Sequence, residues 1–185
     1  MLGLKHIKEE IRKKAKKIKL VLTDGDGVLT DTGVYYSERG EEMKRFSIRD
    51  GMGVERLKTL VNIETGIITG ETSGSVQKRA EKLGITELHL GIKDKKNVVE
   101  GILEKRNLKF ENLAYIGDDT NDIEVLKLAG LSACPADAVI EIKNVTDIIT
   151  DNRGGYGAFR DLAELIIYSV NYEKLLSDSK MEIQN

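Results

Sequence analysis

Apolar residues along this chain recur at two spacings, one typical of helices and one typical of short buried strands. An amphipathic first helix is predicted by apolar residues at helical spacing, with lysines and an arginine between them: Leu4, Ile7, Ile11, Ala15 and Ile18. An apolar run from Ile18 to Leu22, interrupted only by Lys19, then predicts the first buried strand.

The same pattern continues along the chain as an alternation of strands and helices. Apolar runs predict further strands at 65–69, 88–90, 113–116, 131–133 and 147–150. Helical periodicity predicts helices near 51–60, 73–83, 95–105, 121–128, 136–142 and 156–171. This alternation favours an α/β fold in which a parallel sheet carries helices on both faces.

Two segments lie outside the alternation. Aromatic and alternating residues around the turn Ser37-Glu38-Arg39-Gly40 predict a β-hairpin at about 33–48. The last residues, about 173–185, are polar and are expected to form a partly mobile tail. We expect a single domain over 1–185, because 185 residues suffice for one α/β domain with its own core.

Composition narrows the class of protein. With 40% hydrophobic and 32% charged residues, the chain is expected to be globular and cytoplasmic. A net charge of −2 gives no basic field for nucleic acid, and no apolar run approaches the length of a membrane span. The single cysteine, Cys134, is interpreted as a small core residue near a strand end.

The segment Asp24-Gly25-Asp26-Gly27 carries the most chemical information, because it places two carboxylates in a glycine-rich turn after the first strand. Ligands of open α/β sheets bind beyond that end of the strands. Paired carboxylates suit a hard cation such as Mg²⁺, or one of them holds a proton and serves as a general acid. An ordinary Asp/Gly turn is the plain alternative. A calcium loop is excluded, because Val28, Leu29 and Tyr35 occupy positions where its template needs other residues.

Three later segments also place polar residues after predicted strands. They are Thr69-Gly70-Glu71, Lys93-Asp94-Lys95-Lys96 and Gly117-Asp118-Asp119-Thr120-Asn121-Asp122. Each has a plain alternative, since threonine and aspartate cap helices and lysines cover solvated faces. In order along the chain they give D-x-D, Thr, Lys and G-D-D-x-x-D, and that series is highly specific.

This series resembles the phosphatases of the haloacid dehalogenase superfamily, and the resemblance covers about residues 17–171. Within the superfamily, the chain is similar to the small capless branch that acts on phosphorylated sugar acids. The marks of that branch are Gly40-Glu41-Glu42, Phe46-Ser47-Ile48-Arg49-Asp50-Gly51 and Arg153-Gly154-Gly155-Tyr156-Gly157-Ala158-Phe159-Arg160. The resemblance implies a Rossmann-like core with a small hairpin insertion and no large cap domain.

The resemblance also implies a role for each motif residue. Asp24 would be the nucleophile that forms an aspartyl-phosphate, and Asp26 the general acid and base. Thr69 and Lys95 would hold the phosphoryl oxygens, with Lys95 favoured over Lys96 because the family lysine directly follows Lys93-Asp94. Mg²⁺ would be bound by the Asp24 side chain, the Asp26 backbone carbonyl and Asp118. Asp119 and Asp122 would be supporting groups.

Substrate selection is expected to involve neighbouring subunits. Only about forty residues separate the Asp24 loop from Thr69, which is too few for a large lid domain. The resemblance implies a homotetramer with hairpins at its centre. Arg49 and Arg153 are candidates for binding the substrate carboxylate, because arginine can bind carboxylates bidentately. A structural ion pair remains the alternative for each arginine.

The residue after Thr69-Gly70 bears on which sugar acid is bound. Enzymes for 3-deoxy-D-manno-octulosonate 8-phosphate usually have arginine there, whereas this chain has Glu71. Glu71 together with Lys82 resembles the nine-carbon branch. The hypothesis is therefore a nonulosonate 9-phosphate, such as 2-keto-3-deoxy-nononate or N-acetylneuraminate 9-phosphate, with the octulosonate as the alternative. In that alternative, Glu71 is only a charge near a helix start.

Two other classes of protein share part of this series. A phospho-acceptor switch domain uses similar residues, but its acidic pair precedes Thr and Lys, whereas here Gly117-Asp118-Asp119 follows Lys95. A non-catalytic oligomerisation domain related to sugar-nucleotide synthetases is the second alternative. The chain keeps every chemical position, which favours an enzyme.

Overall fold

Strands and helices alternate along the part of the chain that the computed structural model describes, the backbone of 7–182 and the side chains of 7–172. In chain order the elements are α1 Glu9–Lys16, β1 Leu20–Thr23, β2 Thr30–Ser37, β3 Gly40–Phe46, α2 Ile48–Val61, β4 Glu64–Ile68, α3 Gly74–Leu83, β5 Glu87–His89, α4 Lys95–Lys105, β6 Leu113–Ile116, α5 Ile123–Leu128, β7 Leu131–Cys134, α6 Ile140–Lys143, β8 Ile148–Ile149 and α7 Ala158–Glu182.

Six strands form one parallel sheet in the order β5-β4-β1-β6-β7-β8. The strand order reverses beside β1, because β4 and β6 pair with its two edges. In a doubly wound sheet, such a reversal opens a crevice beyond the carboxyl ends of the central strands. The acidic loop after β1 therefore begins in the position where this fold binds ligands.

Side chains from successive strand residues point to opposite faces and build two cores. On β1, Val21 packs with the apolar cluster under α1, α2, α3 and α7, whereas Leu22 packs with the cluster under α4, α5 and α6. Ile67 and Ile68 on β4 divide in the same way. The expected α/β architecture with helices on both faces of a parallel sheet is confirmed.

The expected hairpin is confirmed and is longer than its apolar pattern indicated. Strands β2 and β3 pair antiparallel outside the main sheet, with Ser37 opposite Gly40 at the turn. Several of its apolar side chains are exposed, among them Tyr35, Tyr36 and Met43. The chain passes directly from β3 into α2, so the hairpin is the only element of regular structure between β1 and α2.

Some predicted boundaries were wrong. The last helix was expected to end near 171, but α7 continues to Glu182, since 172–182 contains no glycine or proline to stop it. The tail predicted at 173–185 thus has a helical backbone up to Glu182, and its side chains lie outside the described ones. The predicted first helix begins at Glu9 in the structure, and Leu4 lies outside the described residues.

Two local predictions have clear outcomes. Cys134 is buried at the end of β7, as expected for a small core residue. The helix predicted from 121 begins only at Ile123, because Thr120–Asp122 form a 3₁₀ turn that Asp119 caps by accepting from the Thr120 amide. None of the helices that the structure describes is long and apolar enough to cross a membrane.

Helices α2 and α7 pack closely because α2 contributes Gly53 at their contact. A Cβ placed on Gly53 would lie 3.2 Å from the Cα of Arg160 and 3.3 Å from the Cβ of Ala163. Larger residues at this position would force the helices apart.

We expect Gly53→Leu to lower the free energy of unfolding by about 1–3 kcal/mol through overpacking. Gly101→Leu is the matched control, because Gly101 is an exposed helical glycine with open space around its Cβ position. In the control, the free energy of unfolding should rise by about 0.5–1 kcal/mol, because leucine has a higher helix propensity than glycine. Equal effects of the two variants in urea unfolding would contradict close packing at Gly53.

Candidate active site

The two acidic loops meet at the carboxyl ends of β1 and β6. Thr23 on β1 lies opposite Ile116 on β6, and the Asp24 amide donates to the Ile116 carbonyl at 3.0 Å. Asp118 follows Ile116 after one glycine, so both carboxylates project from adjacent strand ends. Parallel pairing thus brings together two motifs that lie far apart in the sequence.

Lys95 carries its charge into this cluster from the first turn of α4. Its side chain is 1% exposed, and its Nζ lies 3.1 Å from Asp24 Oδ1 and 2.7 Å from Asp122 Oδ1. A buried ammonium is tolerated only when it is paired and hydrogen-bonded, as it is here. The choice of Lys95 rather than Lys96 agrees with this placement, because Lys96 is partly exposed.

Asp122 is surrounded by donors. Its Oδ1 accepts from Lys95 Nζ and, at 2.6 Å, from the buried Tyr115 hydroxyl. Its Oδ2 accepts from the amides of Asp118 at 3.1 Å and Asp119 at 3.4 Å. Because both oxygens are already engaged, Asp122 is suited to holding the loop and Lys95 rather than to binding a ligand itself.

The donor set around Asp24 and Asp118 fits a hard divalent cation. Carboxylate oxygens of Asp24, Asp118 and Asp122 lie within 4.8 Å of one another. Gly27, with φ +75°, brings the backbone of the first loop against the Asp118 carboxylate so closely that a Cβ would overlap it. The two carboxylates are oxygen ligands of the kind that Mg²⁺ prefers, and the backbone of the first loop lies beside them at Gly27.

Without a cation, burial and mutual repulsion raise the pKa values of two of these carboxylates. Burial, followed by repulsion from Asp122, raises the pKa of Asp24 to about 7, although Lys95 opposes the shift. Burial and repulsion from Asp24 and Asp122 raise the pKa of Asp118 to about 8. Burial disfavours the charged Lys95, but attraction to Asp24 and Asp122 outweighs it and raises the pKa of that lysine.

Asp26 points away from this cluster and toward the hairpin. Both of its carboxylate oxygens accept from Lys44 Nζ, at 2.8 and 2.7 Å, and Thr30 Oγ1 donates to Oδ1 at 3.2 Å. The Asp26 side chain remains 25% exposed. It is therefore fixed on one side by the hairpin and accessible on the other.

Thr69, directly after β4, packs against the acidic loop that follows β1. It is buried, and its side chain lies 3.2 Å from the Cβ position of Gly25, next to Asp24. Its hydroxyl accepts from the Glu71 amide at 3.3 Å. Gly70 and Glu71 are exposed. Thr69 thus lies beside the acidic loop, as the motif order predicted.

The glycine-rich segment after β8 packs against the acidic loop that follows β1. The Gly155 amide donates to the Val28 carbonyl at 2.8 Å, and a Cβ on Gly154 would collide with the Gly27 carbonyl. Buried Asp50 on α2 holds the other end of this segment by accepting from the amides of Gly157 at 3.1 Å and Arg160 at 3.0 Å.

The remaining predicted residues lie outside the cluster. Arg49 is exposed in the first turn of α2, and Arg153 is exposed with its guanidinium 4.8 Å from the centroid of the Tyr156 ring. Lys82 is exposed in the last turn of α3, about 12 Å along the helix from its start. Within one chain, the structure does not bring Lys82 to Glu71.

Sequence reasoning missed two residues that contact site carboxylates, Lys44 and Tyr115, and a third, Asp50, that holds the glycine-rich segment beside the site. Lys44 lies in a strand of mixed polar and apolar residues, where nothing in the local pattern distinguishes it. Tyr115 has the pattern of an ordinary core residue, and only the fold places its hydroxyl on Asp122. Asp50 has the pattern of a first-turn helix charge, although burial raises its pKa to about 6.

Comparison with known proteins identifies the family. The family model of haloacid dehalogenase-like hydrolases matches residues 61–157. A 3-deoxy-D-manno-octulosonate 8-phosphate phosphatase (KdsC) from Haemophilus influenzae is 36% identical over 157 residues, 85% of this chain and 87% of that protein. The chain belongs to the haloacid dehalogenase-like hydrolase family.

Further relatives place this hydrolase in the capless branch. A KdsC from Escherichia coli is 38% identical over 161 residues, 87% of this chain and 85% of that protein. The Moraxella catarrhalis 3-deoxy-D-manno-octulosonate 8-phosphate phosphatase, solved with magnesium, phosphate and KDO, has a TM-score of 0.86. It is 36% identical, and the alignment covers 94% of this chain and 99% of that one.

A cobalt-bound structure of the Haemophilus influenzae deoxy-D-mannose-octulosonate 8-phosphate phosphatase is also similar to this chain. It has a TM-score of 0.82 at 35% identity, covering 85% of this chain and 92% of that one. The chain is therefore a phosphatase of the haloacid dehalogenase-like family, a metal-dependent phosphoric monoester hydrolase. The non-catalytic interpretation is not supported.

We expect Gly27→Ala to abolish the stabilisation that a divalent cation gives this hydrolase, because the new Cβ displaces the Asp118 carboxylate. Gly84→Ala is the matched control: Gly84 has φ +65°, close to the +75° of Gly27, but open space around its Cβ position. Both variants should lose stability through backbone strain. Melting temperatures with and without Mg²⁺ test this, and a full Mg²⁺ response in Gly27→Ala would refute the assignment.

The raised carboxylate pKa values predict a pH dependence for the metal-free protein. The folded state keeps protons on Asp24 and Asp118 that the unfolded chain releases near pH 4, so stability falls as pH rises. Between about pH 6 and pH 8 the melting temperature should fall without metal, and Mg²⁺ should restore it most at the higher pH.

Asp118→Asn should flatten this profile, because it removes one of the two carboxylates whose pKa is raised in the folded state. Thermal unfolding of both proteins in buffers containing a chelator gives the comparison. A profile in Asp118→Asn as steep as in the parent protein would show that another group titrates.

Proposed function

We propose that the protein hydrolyses the phosphomonoester of a phosphorylated 2-keto-3-deoxy sugar acid through an aspartyl-phosphate on Asp24, with Mg²⁺ as its metal. The convergence of Asp24, Lys95 and Asp118 at adjacent strand ends supports this proposal most strongly. Phosphoryl transfer depends mainly on positioning and charge neutralisation, and this cluster is built for both.

In the first step, an Asp24 carboxylate oxygen attacks phosphorus while the bond between phosphorus and the sugar oxygen breaks. Lys95, 3.1 Å from Asp24 Oδ1, stabilises negative charge on the attacking carboxylate and on the phosphoryl oxygens. Thr69, packed beside Gly25, is placed to donate its hydroxyl to another phosphoryl oxygen. Asp26 takes up a proton from solvent through its exposed side and gives it to the departing sugar alkoxide.

In the second step, water attacks the aspartyl-phosphate. Asp26, now ionised, takes a proton from that water, phosphate leaves, and the Asp24 carboxylate is restored. The partial exposure of Asp26 agrees with this role, because the group must reach both the leaving oxygen and the incoming water. A second carboxylate two residues after the nucleophile therefore serves both half-reactions.

The carboxylates of Asp24 and Asp118, together with the Asp26 carbonyl, would hold Mg²⁺. When bound, the cation would neutralise charge on the transferred phosphoryl group. Asp122 would keep Lys95 and the Asp118 loop in place through its four accepted hydrogen bonds. Asp119 would support the loop by capping the 3₁₀ turn that follows.

3-Deoxy-D-manno-octulosonate 8-phosphate is the substrate that the comparisons favour, because relatives with this activity match most of the chain. An open cleft of about 690 Å³ lies between the hairpin and the start of α3, and Glu41 and Thr72 are among its lining residues. Its size suits a small ligand. The sugar portion would occupy this side, with Arg49 and Arg153 as candidates for the substrate carboxylate.

A nonulosonate 9-phosphate is the second candidate substrate. It depends on Glu71, which stands where the octulosonate enzymes usually carry arginine, whereas Lys82 lies away from Glu71 within one chain. We further propose a cytoplasmic homotetramer assembled through the hairpins, because Tyr35, Tyr36 and Met43 expose apolar surface there.

Phosphate release should be faster from 3-deoxy-D-manno-octulosonate 8-phosphate than from a nonulosonate 9-phosphate, compared as kcat/KM with Mg²⁺. Asp24→Asn should lower both by at least about 10³-fold, because it removes the nucleophile. A higher kcat/KM for the nine-carbon substrate would overturn the eight-carbon assignment.

Glu71→Arg gives the matched test of selectivity. If Glu71 is only a helix-start charge, the ratio of the two kcat/KM values should change by less than about threefold. A larger shift toward the eight-carbon substrate would show that Glu71 selects the nine-carbon one.

A further inference from the structure

Lys44 is the most buried charged residue of the hairpin that the structure describes. Its side chain is 1% exposed, and its Nζ donates to both oxygens of Asp26, at 2.7 and 2.8 Å. A second carboxylate, that of Glu41, lies 3.4 Å from the same nitrogen. Burial disfavours the charged lysine, but these two carboxylates outweigh it and raise its pKa.

Folding alone does not explain a lysine at this position. A buried ion pair contributes little net stability compared with well-packed apolar residues, since both groups lose hydration. Asp26 is also a quarter exposed, so water could hydrate it without a partner. What a two-oxygen contact to a buried ammonium does provide is a fixed orientation of the Asp26 carboxylate.

The ammonium itself is held by a chain of contacts that reaches the phosphate loop. Glu41 lies beside Lys44 on β3, and its Oε1 accepts from the Ser73 hydroxyl. Ser73 also accepts from the Val76 amide and so caps α3, the helix that follows Thr69. The hairpin is thus tied both to the general acid and to the loop expected to hold phosphate.

We propose that Lys44 is a positioning residue for Asp26, holding its carboxylate on the line of the leaving sugar oxygen. The proposal rests on the proposed function, because it takes Asp26 as the general acid and base. The hairpin would then orient the general acid of its own chain, in addition to its proposed role in assembling the homotetramer. Its lysine, through Glu41 and Ser73, sets the angle from which the proton is delivered.

This role predicts a dependence on the leaving group. A sugar alkoxide needs a proton as it departs, whereas p-nitrophenolate is stable without one. Since kcat/KM reports steps up to the first irreversible one, it isolates departure of the leaving group from the later attack of water. A misplaced Asp26 is therefore expected to lower kcat/KM much more for the sugar phosphate than for the aryl phosphate.

The experiment compares parent protein, Lys44→Met, Asp26→Asn and the double variant, each with 3-deoxy-D-manno-octulosonate 8-phosphate and with p-nitrophenyl phosphate. We expect Lys44→Met to lower kcat/KM about tenfold or more for the sugar phosphate and less than about threefold for the aryl phosphate. In the Asp26→Asn background, Lys44→Met should have less than about a twofold further effect, because the group it positions is gone.

Lys14→Met is the matched control for loss of an ion pair, because Lys14 pairs with Asp147 at 2.5 Å far from the site. It should leave both kcat/KM values unchanged. Lys44→Arg keeps the charge and should recover part of the sugar phosphate activity.

If Lys44→Met lowers kcat/KM equally for both substrates, or lowers it as much in the Asp26→Asn background as in the parent protein, the positioning role is overturned. Lys44 would then be a structural residue. If Lys44→Met does not fold, Glu41→Gln takes its place, with a smaller loss but the same leaving-group preference expected. Failure of the proposed function is distinct: the parent protein would then lack Mg²⁺-dependent hydrolysis, or Asp26→Asn would retain full activity.

Discussion

The buried ion pairs of Lys95 with Asp24 and Asp122 are the interaction on which the site depends. One ammonium, 1% exposed, compensates two buried carboxylates, those of Asp24 at 7% and Asp122 at 0% exposure. It does not compensate the third carboxylate, that of Asp118, and burial together with the remaining repulsion between carboxylates raises the pKa values of Asp24 and Asp118. A divalent cation removes that excess, so metal binding and the charge required for phosphoryl transfer have the same electrostatic origin.

The fold brings these charges together through strand order and close backbone contacts. β1 and β6 end side by side, which places Asp24 next to the Asp118 loop. Gly27 allows the first loop to contact Asp118, and Gly154 allows the segment after β8 to contact Gly27 in turn. Small residues at these contacts therefore let three separate loops pack closely together around the acidic cluster.

The sequence predicted the features that local pattern encodes. The alternation of apolar runs and helical patterns predicted the parallel sheet. The order of D-x-D, Thr, Lys and G-D-D predicted which strand-end residues lie near one another. It could not predict contacts that depend on the third dimension. Lys44 reaches Asp26 only because the hairpin folds over the loop, and Tyr115 is distinguished from an ordinary core residue only by Asp122. The placement of Lys82 also depends on the fold, because it lies in the last turn of α3, about 12 Å along the helix from its start.

The central claim is that Asp24 becomes phosphorylated during turnover. Its most direct test is to mix the protein with Mg²⁺ and substrate, reduce any acyl-phosphate with borohydride, and locate the modified residue by peptide mass spectrometry. The account predicts conversion of Asp24 to homoserine, dependent on both metal and substrate. Modification at Asp26 or Asp118 instead, or none at all during sustained turnover, would contradict it.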